Sequence, residues 1–388
     1  MKVNGVTSVE PLPEYPFEPF RGDLPDRLLE MVETQPVTRV RLPDGRPVWL
    51  VVGHEEVCTV LSDARFSRLP AGHNGHRELN MDGQTHAQMR RLASRPFTVR
   101  RIAAYRPRVQ ELVDGLVDQM VAAGPPADVV SGLVAPLPLL VVCEVLGVPD
   151  TDRTRFYRWL VDINSVVGYG SDGLASSLAE LRAYLVEQVV AKRADPGDDL
   201  LSAWVTDRTD HDFTDAEIAE LAMGVLLGGI EINATSAGLR ALFLHPEQLA
   251  DLRAHPERLG TAVEEILRYT AVSSMFRVQN VLADVTLAGT PIPAGDAVMA
   301  VPWAANRDPV AFPDPHAFRI DRAPNPHLTF GFGSHFCLGA ALGRMQVEVS
   351  IATLLRRFAD LAPAIPLDEI PWRHDRVNGG IAALPVTW

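Results

Sequence analysis

The longest apolar segment of the chain limits its fold more than any other feature. It begins near Thr214, where Thr214 and Glu217 form the Thr-x-x-Glu pattern of a helix capping box. It ends near His245, because Pro246 disfavours helical backbone in the residue before it. A helix over this segment would be about 45 Å long at a rise of 1.5 Å per residue. So long and apolar a helix is expected to cross the middle of a large domain, and the sequence therefore predicts a mainly α fold.

Shorter segments add helices and a small β portion. Apolar residues at helical spacing predict helices over residues 106–123 and 259–269. Two strand-like runs flank a Pro-Asp-Gly turn at residues 43–45 and predict a hairpin, and further short strands are predicted within residues 278–298. Residues 303–326 are rich in Pro, Asp, Asn and Arg and predict a long structured coil, which is uncommon unless it has a function.

The charge and the cysteines exclude several classes of protein. The net formal charge is −13, which disfavours nucleic acid or an anionic membrane as the partner. The cysteines are far apart and odd in number, which disfavours a disulfide framework and suits a reducing cytoplasm: Cys58, Cys143 and Cys337. No signal-peptide pattern is visible at the N-terminus, and prolines and a glutamate interrupt the apolar run at residues 129–148. We therefore expect a cytoplasmic protein with neither a membrane nor a nucleic-acid partner.

The centre of the predicted long helix carries residues that are unfavourable in a buried helix. Residues 228–235 read Gly-Gly-Ile-Glu-Ile-Asn-Ala-Thr. Two adjacent glycines and a carboxylate cost stability in such a place. Because conflicts between local sequence and fold are often found at functional sites, this segment is a candidate for one.

Cys337 is a second candidate, because glycines surround it. Gly331, Gly333 and Gly339 leave room for the backbone to approach a flat group closely. A helix is predicted to begin just after Cys337, and its positive end would favour a thiolate. A buried structural cysteine is an alternative. A zinc site is a weaker one, since only His335 lies nearby, and so is a hydrolase, since no Gly-x-Cys-x-Gly motif is present.

The segment Phe330–Gly339, Phe-Gly-Phe-Gly-Ser-His-Phe-Cys-Leu-Gly, resembles the heme-binding loop of the cytochrome P450 family at every defined position. The resemblance extends over essentially the whole chain. It implies a single, monomeric domain over residues 1–388 with the cytochrome P450 fold, which is mainly α with a small β portion. In this fold a triangular prism contains a long central helix and a heme-thiolate loop. The resemblance also implies that Cys337 is the proximal ligand of the iron of heme b.

Further family motifs imply a buried ion network and contacts to the heme propionates. Glu265 and Arg268 match the family's Glu-x-x-Arg pair, which holds the coil before the cysteine. Many members place the third residue of this network where this chain has Ala317, so Arg322 is our candidate instead. The cofactor-binding residues implied by the resemblance are His86 and Arg90, which share one helix face at i and i+4, together with Arg277 and His335.

The central helix departs from the family at one position. Most members carry an acid followed by a threonine, which organise water and deliver protons during oxygen activation. This chain keeps the acid as Glu231 but has Ile232 at the threonine position, and Asn233 follows. We therefore predict that Glu231 and Asn233 are catalytic. The replacement is either neutral in an ordinary hydroxylase, or it marks a site where substrate groups or waters replace the hydroxyl, or where coupling is the productive chemistry.

The resemblance implies an enzyme that activates O₂ to oxidise an apolar or aromatic small molecule, as in bacterial secondary metabolism, with electrons from a ferredoxin and its reductase. Two alternatives are oxidative C–C or C–N coupling of aromatic substrates, such as tryptophan-containing cyclic dipeptides, and a non-catalytic heme sensor. The predicted pocket is mostly apolar and comprises Ile230, Ile232, Ser274, Met275, Phe276 and Ile381. A cluster of arginines is a candidate docking patch for an acidic ferredoxin: Arg100, Arg101, Arg106 and Arg108.

Overall fold

The computed structural model describes residues 12–17, 22–69, 81–164, 172–207, 213–229, 233–270, 278–373 and 380–388. Over these residues the protein is mainly helical with a small β portion, as predicted. The helices are α1 Asp26–Thr34, α2 His54–Ser62, α3 Gly83–Ser94, α4 Val99–Ala104, α5 Arg106–Ala123, α6 Pro136–Leu146, α7 Arg153–Asn164, α8 Asp172–Ala194, α9 Leu200–Val205, α10 Asp215–Gly229, α11 Ala234–Leu244, α12 Pro246–Ala254, α13 Leu259–Tyr269, α14 Pro302–Ala305 and α15 Ala340–Arg357. The helices predicted over residues 106–123 and 259–269 are confirmed as α5 and α13.

The predicted long helix is described in two parts, α10 and α11, and residues 230–232 between them lie outside the described residues. Its capping box is confirmed, because the Thr214 N–H donates to the Glu217 carboxylate at 2.9 Å and the Glu217 N–H donates to Thr214 Oγ1 at 3.2 Å. By length and composition alone the span Asp215–Leu244 could cross a membrane, but 60% of its apolar window is buried inside the structure. That burial is what the core helix of a globular protein shows.

The strands form one larger sheet and three small ones within the described part of the chain. They are β1 Val37–Arg41, β2 Pro47–Val51, β3 Phe66–Ser67, β4 Ala127–Asp128, β5 Val278–Val281, β6 Val285–Leu287, β7 Thr290–Ile292, β8 Ala297–Ala300, β9 Ala362–Pro363, β10 Trp372–Arg373, β11 Gly380–Ile381 and β12 Pro385–Thr387. The larger sheet has the order β1-β2-β8-β5-β3, and the small ones are β4-β12-β9, β6-β7 and β10-β11. The predicted hairpin is confirmed as β1 and β2, with Gly45 at φ +84° in its turn, where a side chain would be strained.

The main apolar core joins the central helix to the helix that follows the cysteine loop. Leu221 and Leu226 of α10 share one buried cluster with Met345, Val349 and Leu354 of α15. Full burial of each such side chain contributes about 1.5–3 kcal/mol. A second cluster packs α15 against α11 and α13. The beginning of α15, and with it the cysteine loop, is therefore fixed relative to both parts of the central helix.

Candidate active site

The loop before α15 is a tight turn that presents Cys337. The Cys337 N–H donates to the Phe330 carbonyl at 2.8 Å, which closes the loop. Gly331 and Gly333 have φ values of +75° and +71°, which favour glycine. A Cβ on Gly333 would lie 2.7 Å from the Leu61 carbonyl oxygen, so only glycine lets the loop pack against the end of α2. Backbone conformation at both positions and packing at Gly333 therefore require glycine, for reasons other than the predicted space beside a flat group.

Opposing influences act on the Cys337 thiol. Burial raises its pKa above the usual value, whereas a hydrogen bond from the Gly339 backbone and the positive charges of Arg90 and Arg344 lower it. Burial is the largest of these effects, so the thiol keeps its proton unless a cation sits at the sulfur. A coordinated metal ion supplies such a charge and removes the proton from a thiol ligand. A protonated thiol is a poor nucleophile, so these influences do not favour a free nucleophile at Cys337.

Two predicted cofactor-binding histidines lie together beside this loop. The rings of His86, on α3, and His335 are stacked with their centroids 3.9 Å apart. The Nε2 atom of His86 is buried and has no hydrogen-bond partner among the described residues. Arg90, one turn further along α3, donates to the Phe336 carbonyl and so joins α3 to the cysteine loop. The fourth predicted residue, Arg277, lies outside the described residues.

In the structure, Asp82 and the end of β3 also belong to this cluster. The sequence reasoning missed both of them. The Asp82 carboxylate accepts hydrogen bonds from Ser67 Oγ at 2.8 Å, from the Arg68 N–H at 2.7 Å and from His335 Nε2 at 3.1 Å. Asp82 stands four residues before His86, at the start of α3, where an aspartate is normally interpreted as a helix cap. That position was its only signal in the sequence.

Burial and nearby positive charges keep both histidines neutral near pH 7. The pKa of His335 falls from its usual 6.5 to about 4, first because the ring is buried and then because the charge of Arg68 and the ring of His86 lie close. Asp82 opposes this shift. Burial and then the charge of Arg90 also lower the pKa of His86. The positive charges of Arg68 and Arg90 would favour a negatively charged group beside these rings.

These observations fit a heme at Cys337. A flat ligand needs open space beside the sulfur, and a Cβ on Gly339 would meet no atom within 4 Å. The unpartnered His86 nitrogen and the Arg90 guanidinium suit carboxylate groups at the ligand's edge. Zinc does not fit, because no group of three or more His, Cys, Asp or Glu side chains in the described part of the chain is placed to hold a metal ion.

The predicted ion network under the loop is confirmed. Glu265 and Arg268 on α13 form a buried bidentate pair at 2.7 and 2.8 Å. Arg322, the candidate third member, donates to the Glu265 carboxylate at 3.1 and 3.2 Å. Ala317 takes part through its backbone, because its carbonyl accepts from both arginines at 3.0 Å. The network therefore fixes the coil that ends at the cysteine loop.

A second network, absent from the sequence reasoning, ties the same helix to α15. Glu264 accepts hydrogen bonds from Arg344 Nε at 2.6 Å and from His327 Nε2 at 3.0 Å. The Arg344 guanidinium also lies 4.4 Å from the centroid of the Phe330 ring. Burial raises the pKa of Glu264, but the hydrogen bonds from His327 and Arg344 outweigh it and hold that pKa at about 2, below the usual 4.5.

Glu264→Gln is expected to lower the free energy of unfolding at pH 7 by about 1–2 kcal/mol, after allowance for partial exposure of the carboxylate. Because the folded pKa of about 2 lies below the usual 4.5, this stabilisation is complete above pH 4.5 and is lost as the pH falls towards 2. Urea unfolding at pH 7 and pH 3 should show the difference between wild type and variant shrinking in acid. An equal difference at both pH values would contradict the assignment.

Of the predicted catalytic and pocket residues, the structure describes Asn233 and Ile381. Asn233 is buried at the start of α11, and its backbone carbonyl accepts from the Ala237 N–H at 2.8 Å. Its side chain lies against Gly380, where a Cβ would overlap the amide. Ile381 is buried beside it in β11. The other predicted catalytic and pocket residues lie outside the described residues: Ile230, Glu231, Ile232, Ser274, Met275 and Phe276.

Gly228 and Gly229, the last described residues of α10, have different surroundings. A Cβ on Gly229 would lie 2.6 Å from Val142 Cγ2, so Gly229 permits the close approach of α6 and α10. A Cβ on Gly228 would meet no atom within 4 Å. Packing against α6 therefore accounts for Gly229, whereas Gly228 lies beside open space.

Three of the four arginines in the predicted docking patch form ion pairs, which the sequence reasoning missed. Arg101 pairs with Asp198 at 3.0 Å and Arg106 pairs with Glu348 at 2.6 Å. Arg108 pairs with two glutamates, at 2.9 and 3.2 Å. Acidic side chains from distant segments thus compensate these arginines, which weakens the predicted docking patch.

Comparison with known proteins identifies the family. The family model for cytochrome P450 matches residues 172–364. Nocardicin C N-oxygenase from Nocardia uniformis subsp. tsuyamanensis is 40% identical over 392 residues, which cover 96% of this chain and 98% of that protein. The crystal structure of SgvP, the putative thioether synthase involved in the tailoring step of griseoviridin, superposes with a TM-score of 0.90 at 40% identity and covers 97% of this chain and all of that one.

A further solved structure, a cytochrome P450mel with biaryl coupling reactivity, has a TM-score of 0.84 and 35% identity over 94% of this chain and 96% of that one. The same fold and a similar sequence therefore serve both oxygenases and a coupling enzyme. Identity at this level over nearly the whole of both chains is far above what shared fold alone produces. The chain therefore belongs to the cytochrome P450 family.

Proposed function

We propose that Cys337 binds the iron of heme b and that His86, Arg90 and Arg277 hold its propionates, whereas His335, whose Nε2–H is donated to Asp82, supports His86 through the stacked rings. The heme supplies the activation of dioxygen, which amino-acid side chains alone do not perform. We further propose that electrons arrive from a ferredoxin and its reductase in the cytoplasm. The observation that supports the site best is the buried, unpartnered Nε2 of His86 beside the glycine-flanked Cys337 loop.

The chain's own residues would hold the cofactor in one orientation. Arg90 contacts the cysteine loop through the Phe336 carbonyl while its helix carries His86. α3 therefore contacts the cysteine loop through Arg90 and would contact the propionates through His86. The Gly339 backbone and the charges of Arg90 and Arg344 lower the pKa of Cys337, which favours its thiolate once a cation is bound.

Glu231 and Asn233 are proposed to supply protons and hydrogen bonds on the opposite side. The Ile232 side chain has no polar group and cannot replace the hydroxyl that most family members have there. Asn233 is buried and held against Gly380, so its amide has little freedom to move. A polar group of the substrate, or a water beside Asn233, would then take the place of the missing hydroxyl.

The proposed substrate is an apolar or aromatic small molecule of secondary metabolism. The pocket residues named above are mostly aliphatic or aromatic, with Ser274 and Asn233 as polar contacts. Nocardicin C N-oxygenase is an oxygenase by name, which favours an enzyme over a non-catalytic heme sensor.

Turnover of an aromatic natural product under labelled dioxygen tests this proposal. Compounds that shift the heme absorption band would be incubated with reduced ferredoxin, ferredoxin reductase and isotopically labelled O₂. We expect a product that has gained one labelled oxygen atom, and no product when ferredoxin is left out. If compounds shifted the band but none of them was turned over, the proposed monooxygenase would be contradicted.

Oxidative coupling of aromatic substrates is the second candidate function. It is favoured by the aliphatic residue at position 232 and by the likeness to a P450 with biaryl coupling reactivity. The same experiment separates the two, because coupling removes two hydrogens from the joined substrates and incorporates no label.

A further inference from the structure

Asp82 occupies a helix-capping position but does not cap its helix. It directly precedes α3, with φ −113° and ψ 172°, yet its side chain makes no capping hydrogen bond. A free capping carboxylate would accept from the first turn of α3 and stabilise the helix by about 0.5–2 kcal/mol. The Asp82 carboxylate instead accepts from three donors on two other segments, β3 with its following residue and the cysteine loop.

The two oxygens of the Asp82 carboxylate accept hydrogen bonds from different donors. Oδ2 accepts from Ser67 Oγ and from the Arg68 N–H, which fixes the carboxylate to the end of β3. Oδ1 is left to accept from His335 Nε2 at 3.1 Å. A carboxylate anion has no hydrogen to donate, so His335 Nε2 must carry the hydrogen of this bond.

The ring of His335 in turn limits the ring of His86. The two rings are stacked at 3.9 Å with an angle of 29° between their planes. His86 is only 4% exposed, and its Nε2 has no partner among the described residues. A buried polar nitrogen without a partner is costly, which indicates that it is oriented towards a ligand.

We propose that Asp82 is a positioning residue of the heme site: by holding His335 Nε2–H it fixes the His335 ring, and through the ring stack it directs His86 Nε2 towards the heme propionates. This inference rests on the proposed heme site. Partners that orient the ligands of a metal centre typically contribute about 10- to 100-fold to its affinity, and we expect an effect near the lower end for a residue behind a propionate contact.

Titration of the apoprotein with hemin tests the positioning role. Asp82→Ala is expected to bind hemin about 10-fold or more weakly than wild type. Ser67→Ala is the matched control, because it removes one bond to the same carboxylate and leaves the His335 bond in place; its hemin affinity should stay near that of wild type. Equal affinities of wild type and Asp82→Ala would overturn the inference, and so would an equal loss in both variants.

Nitrogen NMR of the His335 ring gives a second readout, which a merely structural role would not change. In Asp82→Asn the amide oxygen can still accept from Ser67 and Arg68, but the amide N–H₂ then faces His335 Nε2. At a pH well above the usual pKa of histidine, we expect His335 to be the Nε2–H tautomer in wild type and to change to the Nδ1–H tautomer in Asp82→Asn. An unchanged tautomer would overturn the inference even if the alanine variant did not fold.

The wild-type protein separates the two possible failures. If wild-type apoprotein failed to bind hemin, both the proposed site and the role of Asp82 would be rejected. If it bound hemin tightly while the Asp82 variants behaved as wild type, only the role of Asp82 would be rejected.

Discussion

Replacement of Cys337 by alanine is expected to abolish the thiolate-type absorption band of the reduced carbon monoxide complex. The glycine-flanked loop holds the Cys337 sulfur at the start of α15. The Cys337 N–H donates to the Phe330 carbonyl and closes this loop. Alanine keeps the backbone of this loop but has no atom that can bind iron. Because the band depends on a thiolate ligand, we expect its complete loss and not a partial decrease.

The other cysteines provide the controls for this prediction. Cys58 is half-buried on α2, 3.9 Å from His54 Nδ1, and burial raises the pKa of its thiol. Cys143 is buried in the apolar core. Cys58→Ala should leave the band unchanged, which shows that the loss in Cys337→Ala is specific to the ligand. Survival of the band in Cys337→Ala would falsify the assignment of the ligand.

Replacement of Glu265 by glutamine is expected to have the largest effect on stability. The Glu265 carboxylate is fully buried and accepts hydrogen bonds from Arg268, from Arg322, from the Arg319 N–H at 2.8 Å and from Asn325 Nδ2 at 3.2 Å. Glutamine would leave two buried guanidinium groups without a counter-charge. Removal of one partner from a buried ion pair typically costs about 3–5 kcal/mol, so we expect a loss of that size.

Glu265→Gln should also destabilise the cysteine loop, because Arg268 and Arg322 donate to carbonyls of the coil that leads to it. Denaturant unfolding followed by circular dichroism, together with heme content after purification, measures both effects. Glu111→Gln is the control: Glu111 pairs with Arg108 on α5 and is 65% exposed, so its replacement should change stability by about 0.5 kcal/mol or less. Similar stability losses in the two variants would contradict the role of the buried network.

Local sequence was sufficient to predict the elements that carry short-range signals. The helix over residues 259–269 and the capping box at Thr214 depend on contacts within one or two turns, and both are confirmed. The sequence interpreted Gly331 and Gly333 as space beside a flat group, whereas their positive φ values emerged only from the structure. The roles of Glu231 and Arg277 remain predictions, because these residues lie outside the described part of the chain.

Contacts between distant segments could not be predicted in the same way. The arginines at 101 and 106 look like free charges in the sequence, but Asp198 and Glu348 neutralise them from 97 and 242 residues away. Asp82 looks like a helix cap, but it meets the His335 ring from 253 residues away. Such a partner depends on how the helices and the sheet pack, and no local pattern records it.

The sequence by itself determined the family, the cysteine loop and the Glu265–Arg268 pair, because short motifs with fixed spacing carry them. The sequence also named Arg322 as the candidate third member, but only the tertiary structure decided how it is held and which groups orient the histidines. Arg322 reaches Glu265 across 57 residues while the Ala317 carbonyl supplies a further acceptor, so a backbone atom of any residue type serves there. Buried donors and acceptors must find partners, but the packing of the whole chain chooses which ones they find.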